Sequence, residues 1–263
     1  MTTQAEKALS FAKLHVKGDP IIIFNVWDAG TAMAVADIGA KAVATGSYAV
    51  ATANGYDDGE DVSLDLVLEN LQRISSSVDL PVSLDFEGGY AVEPDQLRRN
   101  IGRVMNEGAI GINFEDRVVK GEGLYSIDDQ CERISAIREV ADQSEIPLFI
   151  NARSDVVLPL NTAEHNKDHL SELIERAVAY AEAGASGFFA PGLVNPDFIG
   201  KLCDASPLPV NILVWPGVPS SAQLADLDVA RISYGGGTYR VTMEAFRNAG
   251  RKALEWRESE NAA

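Results

Sequence analysis

Residues 82–90 read VSLDFEGGY. Val82 and Leu84 suit buried strand positions, which puts Asp85 and Glu87 at the strand's carboxyl end. Gly88 and Gly89 let the chain turn where a side chain would obstruct. Acids recur in comparable places. Glu115 and Asp116 close the apolar run that starts at Gly111, and YDDGED over 56–61 adds Asp57 and Asp58. Carboxylates brought together repel, and one takes a proton unless a cation intervenes. Mg²⁺ resolves that conflict: it takes oxygen ligands, keeps several waters and needs few direct carboxylates. The pattern reads as a Mg²⁺ site, with Mn²⁺ as the alternative ion. Asp85 would bind directly, and Glu87, Glu115 and an acid of YDDGED would hold metal-bound waters. On the plainer reading, Glu87 and Asp116 are solvated loop acids paired with Arg117.

Other strand ends carry complementary groups. Arg153 has a planar, permanently charged fork suited to a carboxylate. Its structural alternative is an ion pair with Glu115 or Asp85. Backbone N–H groups near Ser47 and Tyr48, in a turn after a strand, suit an anion. Trp27 is either a core aromatic or a cover for a substrate. His15, His165 and His169 fall outside the strand ends, and the last two read as solvated near a helix start. Cys131 sits mid-helix on an apolar face and Cys203 ends a helix, so neither reads as catalytic.

These residues need a scaffold. Apolar runs recur at 21–26, 42–45, 82–84, 111–114, 148–151, 187–189, 210–213 and 230–233. Several follow helix stops, as in GAKAVAT, LPVSLD, GAIGINFE, IPLFINA and GASGFFA. Helical spacing fills the gaps: Leu64, Val67, Leu68, Leu71 and Ile74 share one face, as do Cys131, Ile134, Ile137 and Val140. A third helical segment, from His169, ends on Gly184 as a C-terminal stop. Short apolar runs, rather than half-polar alternations, suit a parallel sheet covered by helices. Eight such units predict a (β/α)8 barrel, with a doubly wound open sheet as the alternative. No low-complexity linker interrupts the chain, so residues 1–263 read as one domain with a helical tail over about 239–260. In a barrel, functional groups gather at the carboxyl ends of the strands.

The 263 residues are 46% hydrophobic and 23% charged, enough for a large core. A formal net charge of −17 argues against nucleic-acid and anionic-membrane partners. Two cysteines make no disulfide framework, and the first twenty residues hold no apolar signal core. The expectation is a soluble cytoplasmic protein.

Taken together, NVWDAGTA, TGSYAVA, LDFEGG, GINFEDR, INARSDV, PVNILV and RISYGGG resemble the isocitrate lyase / phosphoenolpyruvate mutase superfamily, in order, over about residues 20–255. The resemblance implies a (β/α)8 barrel whose last helix is swapped between subunits of a homo-oligomer, a tetramer or dimer. It implies Mg²⁺ chelating an α-oxo or α-hydroxy carboxylate, and chemistry through an enolate-type intermediate. By motif, Asp85 matches the direct metal ligand, and Asp58, Glu87 and Glu115 match the acids around it, with Asp57 competing for the place of Asp58. Ser47 and Tyr48 match the turn that holds the substrate carboxylate. Trp27 matches the pocket aromatic, Arg153 the substrate arginine and Asn211 a pocket asparagine.

The departures bear on reaction type. The isocitrate and methylisocitrate lyases carry a Lys-Lys-Cys-Gly-His loop after the fourth strand; here the stretch reads EDRVVKGEGLYS, without cysteine or histidine. The phosphonate-bond enzymes place a lysine and an asparagine or threonine there; this chain offers only Lys120 beside Gly121, Glu122 and Gly123. Those glycines would let the loop gate the site. The expectation is a Mg²⁺-dependent lyase or decarboxylase acting on a small α-oxo or α-hydroxy carboxylate, with Arg153 orienting it and Tyr48 or Lys120 donating a proton. The alternatives are a phosphonopyruvate hydrolase or phosphoenolpyruvate mutase-like enzyme, and a non-catalytic binder of oxo acids.

Overall fold

The computed structural model describes residues 2–261, and side chains as far as Glu255. The strands are β1 (Ile21–Ile23), β2 (Val43–Ala44), β3 (Val82–Asp85), β4 (Gly111–Glu115), β5 (Phe149–Arg153), β6 (Gly187–Phe189), β7 (Val210–Leu213) and β8 (Arg231–Ser233). The helices are α1 (Gln4–Lys13), α2 (Ala29–Asp37), α3 (Ser47–Ala53), α4 (Leu64–Ser77), α5 (Pro94–Asn106), α6 (Ile127–Gln143), α7 (Lys167–Glu182), α8 (Pro196–Ala205), α9 (Ser221–Asp226) and α10 (Gly237–Asn261). All strand pairs are parallel, in the order β1-β8-β7-β6-β5-β4-β3-β2. A parallel bridge between Val26 and Thr45 closes the seam between β1 and β2. The result is the nearly closed (β/α)8 barrel that the run of eight units predicts; the open sheet is excluded because it would leave two free edges.

The helical faces follow the spacing. Leu64, Val67, Leu68, Leu71 and Ile74 of α4 are buried. On α6, Ile134 and Ile137 are buried while Cys131 and Val140 are half-buried. Gly184 follows α7 at φ 101°, where a Cβ would meet Arg138 Cγ at 2.8 Å, so only glycine fits that stop. The ladder extends further than the apolar runs at three places: Asp85, Glu115 and Arg153 are the last residues of β3, β4 and β5. Strand hydrogen bonds therefore hold the backbone of all three.

The amino-terminal mouth is plugged by α1, whose Ala8 and Phe11 pack on Ile21, Ile23, Ala42, Ala44 and Phe149. His15 stacks on the Phe149 ring at 4.1 Å and shares a hydrogen bond with Phe11 O at 2.9 Å. Burial drives its pKa down to about 3, so it stays neutral. His165 and His169 are half-buried rather than solvated, with His165 Nε2 at 3.2 Å from Val157 O.

The wall is bare at β1. Ile22 and Phe24 are 45% and 38% exposed on its outer side. The last helix does not cover them: Val241, Phe246 and Leu254 of α10 are 61%, 71% and 68% exposed. Trp256, placed on this apolar face by its spacing, lies outside the described side chains. Among the described residues, no helix is long and apolar enough to cross a membrane.

Candidate metal and carboxylate site

A cavity of ≈ 330 Å³ opens at the carboxyl ends of the strands. Asp58, Asp85 and Arg153 line it, with Ser47 and Tyr48 at the start of α3 and Ser233 at the end of β8. Its apolar wall includes Leu158, Phe189, Leu213 and Trp215. A groove of ≈ 390 Å³ beside Lys7, Gln72 and Glu107 receives no strand-end acids.

Asp85 is held on two sides. Its backbone N–H donates to Thr45 Oγ1 at 2.9 Å, and its Oδ2 accepts the Ser47 N–H at 2.9 Å. Its Oδ1 is buried and has no partner among the described residues. Glu87 is 6% exposed; its carboxylate accepts the Glu60 N–H at 2.8 Å and the Tyr90 hydroxyl at 3.1 Å. Burial, then the charges of Asp85 and Asp58, raise its pKa to about 7. Asp58 stands on the cavity rim, and its carboxyl is also pushed upward, first by the protein around it and then by Asp85. Asp57 is exposed and does not line the cavity, which favours Asp58.

Glu115 is 3% exposed and meets Arg153 Nη1 at 2.8 Å. Burial pushes its pKa up against the Arg153 charge. Arg153 gives its other edge to Asp155, Nε at 2.6 Å and Nη2 at 2.8 Å. The hydrogen bonds to Asp155 use Nε and one N–H of Nη2, and Nη1 faces Glu115 as an ion pair, so the terminal nitrogens keep N–H groups for a further acceptor.

The oxygen-only donor set fits a hard cation. Among the described residues, no three His, Cys, Asp or Glu groups lie close enough to ligate one ion together. Mg²⁺ needs few direct carboxylates, and Asp85 Oδ1 is a buried oxygen without a partner among the described residues. The pairing of Glu87 and Asp116 with Arg117 does not form. Both acids are buried, and Arg117 is exposed and makes no ion pair among the described residues.

The remaining sequence candidates are placed differently. Tyr48 lines the cavity, and its ring presses on Gly236, where a Cβ would stand 2.5 Å from Tyr48 Cδ1. Lys120 is not at the cavity; its Nζ donates to Gly59 O at 2.7 Å, tying the loop after β4 to YDDGED. Trp27 is half-buried, edge-on to Tyr239 at 5.1 Å, and is not part of the cavity wall. Asn211 is 1% exposed within the barrel, its Oδ1 accepting the Ser233 hydroxyl at 3.1 Å.

Two arginines escape the sequence reading. Arg240, in the first turn of α10, lines the cavity with its guanidinium 5.4 Å from the Tyr48 ring centre. The glycine run before it was the available signal, because it starts the helix at the barrel mouth. Arg231 is fully buried inside the barrel. Its Nε donates to Ser233 Oγ at 2.9 Å, while Nη1 and Nη2 have no partner among the described residues. Burial pulls its pKa to about 10 against the opposing charge of Asp85.

Comparisons with known proteins agree with this architecture. The family model described as phosphoenolpyruvate phosphomutase matches residues 11–254. A Burkholderia cenocepacia J2315 structure, provisionally named a phosphonomutase, superposes with a TM-score of 0.93 at 42% identity, over 95% of this chain and 100% of that one. An uncharacterized protein of Mycobacterium tuberculosis (strain ATCC 25618 / H37Rv) is 32% identical over 92% of this chain and 88% of its own. The 2-methylisocitrate lyase of Escherichia coli (strain K12) is 27% identical over 90% of this chain and 80% of its own. The chain belongs to the phosphoenolpyruvate phosphomutase family, within the isocitrate lyase / phosphoenolpyruvate mutase superfamily.

Proposed function

We propose that the chain is a Mg²⁺-dependent lyase or decarboxylase that breaks a C–C bond in a small α-oxo or α-hydroxy carboxylate through an enolate-type intermediate. The observation that carries this reading is the convergence of Asp58, Asp85 and the part-filled fork of Arg153 on one cavity, with Glu87 and Glu115 buried behind it. Bound Mg²⁺ would supply positive charge opposite the oxygen on which the enolate charge develops. The residues of the chain do the rest. Asp85 presents its free oxygen to the ion, and Asp58, Glu87 and Glu115 hold water around it. The N–H groups that Arg153 keeps on its terminal nitrogens orient the substrate carboxylate. From an oxo acid, CO₂ leaves and the electron pair of the breaking C–C bond passes into the enolate; from a hydroxy acid, the hydroxyl gives its proton to a base as its carbon becomes the oxo carbon, and the pair passes into the enolate of the departing carboxylate. In both cases a proton then returns to carbon. The Tyr48 hydroxyl is the proposed donor, supported by the place of Tyr48 in the cavity lining while Lys120 stands outside it.

Arg240 narrows the substrate class. A cation at the outer end of the cavity suits a second anionic group that keeps its charge throughout. That group is a carboxylate in the C–C reading. A phosphonate would fit as well, and the similarity to a provisionally named phosphonomutase favours keeping the P–C reading as second. The test is turnover with Mg²⁺ on a panel of oxaloacetate, C2-branched 2-hydroxy dicarboxylates and phosphonopyruvate, followed by NMR. Oxo-acid or CO₂ formation from the first two supports the proposal. Phosphate or phosphoenolpyruvate from the third supports the second reading. Saturable binding without product would make the chain a binder.

The bare wall at β1 and the exposed face of α10 support the further proposal that α10 covers the barrel of a second copy in a homo-oligomer.

A further inference from the structure

Asp116 follows directly after β4 and is completely buried, with every polar atom engaged. Its Oδ2 accepts the Tyr180 hydroxyl at 2.9 Å and Arg176 Nη1 at 3.1 Å, both from α7. Its Oδ1 accepts the backbone N–H of Asp155 at 3.0 Å. Its own N–H donates to Arg153 O at 3.0 Å, and its carbonyl accepts the Tyr125 N–H at 2.8 Å.

Removing a carboxylate from water costs several kcal/mol, and apolar residues of similar volume often pack in such places at no loss. An acid here supplies what an apolar residue lacks, an acceptor for a main-chain donor beyond the end of a strand. The ladder stops at Arg153, and Ser154 N–H makes the last sheet-like bond, to Phe189 O at 2.9 Å. The next donor is Asp155 N–H, and Asp116 takes it. Asp155 in turn holds the Nε–Nη2 edge of the Arg153 fork, at 2.6 and 2.8 Å.

We propose that Asp116 is a positioning residue for Arg153 that acts through Asp155: Asp116 fixes the Asp155 backbone, and Asp155 fixes the Nε–Nη2 edge of the guanidinium. The remaining N–H groups of the terminal nitrogens are thereby aimed before a carboxylate arrives, and Tyr180 and Arg176 hold Asp116 in that pose from α7. This inference rests on the reading that Arg153 binds the substrate carboxylate.

The probe is oxalate, titrated calorimetrically into the full-length protein saturated with Mg²⁺. Asp116→Leu removes the acceptor and should weaken oxalate about tenfold, while the affinity for Mg²⁺ alone stays within about twofold. Asp116→Asn keeps an acceptor for Asp155 N–H and should restore oxalate binding to within about threefold of wild type. In an Arg153→Gln background, Asp116→Leu should add less than about twofold, because both changes act through one group. Where Asp116→Leu does not fold, Tyr180→Phe decides, with an expected loss of about threefold. Wild-type oxalate affinity in folded Asp116→Leu, or in Tyr180→Phe, would overturn the inference while leaving Arg153 as the carboxylate reader. An equal loss with and without Arg153 would overturn it as general loosening. If Arg153→Gln itself leaves oxalate binding unchanged, the reading of Arg153 falls and the inference falls with it.

Discussion

The backbone N–H of Ser47 donates to Asp85 Oδ2 at 2.9 Å, so the first residue of α3 grips the last residue of β3. The turn that the sequence offers to a substrate anion is thus already holding an anion of the protein. The bond fixes one carboxylate oxygen and leaves Oδ1 free, which gives Asp85 a defined face toward a cation.

Asp85→Ala should therefore abolish Mg²⁺ binding and leave the barrel folded, since among the described residues Asp85 is held by hydrogen bonds to Thr45 and Ser47 and by no ion pair. Calorimetry gives the affinity and circular dichroism the fold. Unchanged Mg²⁺ affinity would remove Asp85 as the direct ligand.

Glu87 links the site to pH. Its pKa rises from 4.5 to about 7 in the folded protein. Well below 4.5, folded and unfolded forms both carry the proton, and Glu87 contributes no pH dependence. Between 4.5 and about 7 the folded form holds the proton more tightly. Metal-free stability should fall as pH rises through that window and then level off. Glu87→Gln should lose its share of the fall, roughly 3 kcal/mol at most by pH 8. Mg²⁺ affinity of the wild type should rise over the same window as protons stop competing. Denaturation curves in chelator across this range check it, and parallel curves for wild type and variant would refute it.

Arg153→Lys keeps the charge and loses the fork. It should cost more than about 1.4 kcal/mol in kcat/KM, a tenfold effect. It should also lower Tm, because Glu115 and Asp155 lose shared donors. Kinetics within about twofold of wild type would make Arg153 a structural ion-pair partner only.

The strand ends were legible because each apolar run stops abruptly at polar residues. Asp85, Ser47 and Arg153 stand where that rule places them. Spacing along the chain does not reveal which strand-end side chains meet across the barrel. Asp155 is two residues from Arg153 and its pairing was within reach, but Asp116 with Tyr180 joins residues 64 apart. The spacing of the last helix points to assembly and singles out none of its residues for the site, yet Arg240 in its first turn reaches the cavity. Lys120 is one of two candidate proton donors in the sequence, as the lysine of the loop after β4, and loop packing sends its Nζ to Gly59 instead.

Neither cysteine should matter for chemistry. Cys203 is fully buried, and burial drives its thiol up to about 12; Cys131 is half-buried on α6. The Cys131→Ser, Cys203→Ser double variant should keep its turnover and lose about 1–3 kcal/mol of stability from the buried hydroxyl. A folded but inactive double variant would return the cysteine-dependent lyase reading.

The exposed apolar residues of α10 call for a cover. Light scattering of the full chain at micromolar concentration should give a dimer or tetramer. Truncation before Tyr239 should give monomer or aggregate. A monomer mass for the full-length chain would contradict the proposed exchange of α10.

A crystal structure with Mg²⁺ and oxalate tests the proposed site most directly. Mg²⁺ should lie on Asp85, chelated by oxalate, with waters held by Asp58, Glu87 and Glu115 and with an Arg153 N–H on an oxalate oxygen. Mg²⁺ away from Asp85, or oxalate bound without contact to either the ion or Arg153, would contradict the account.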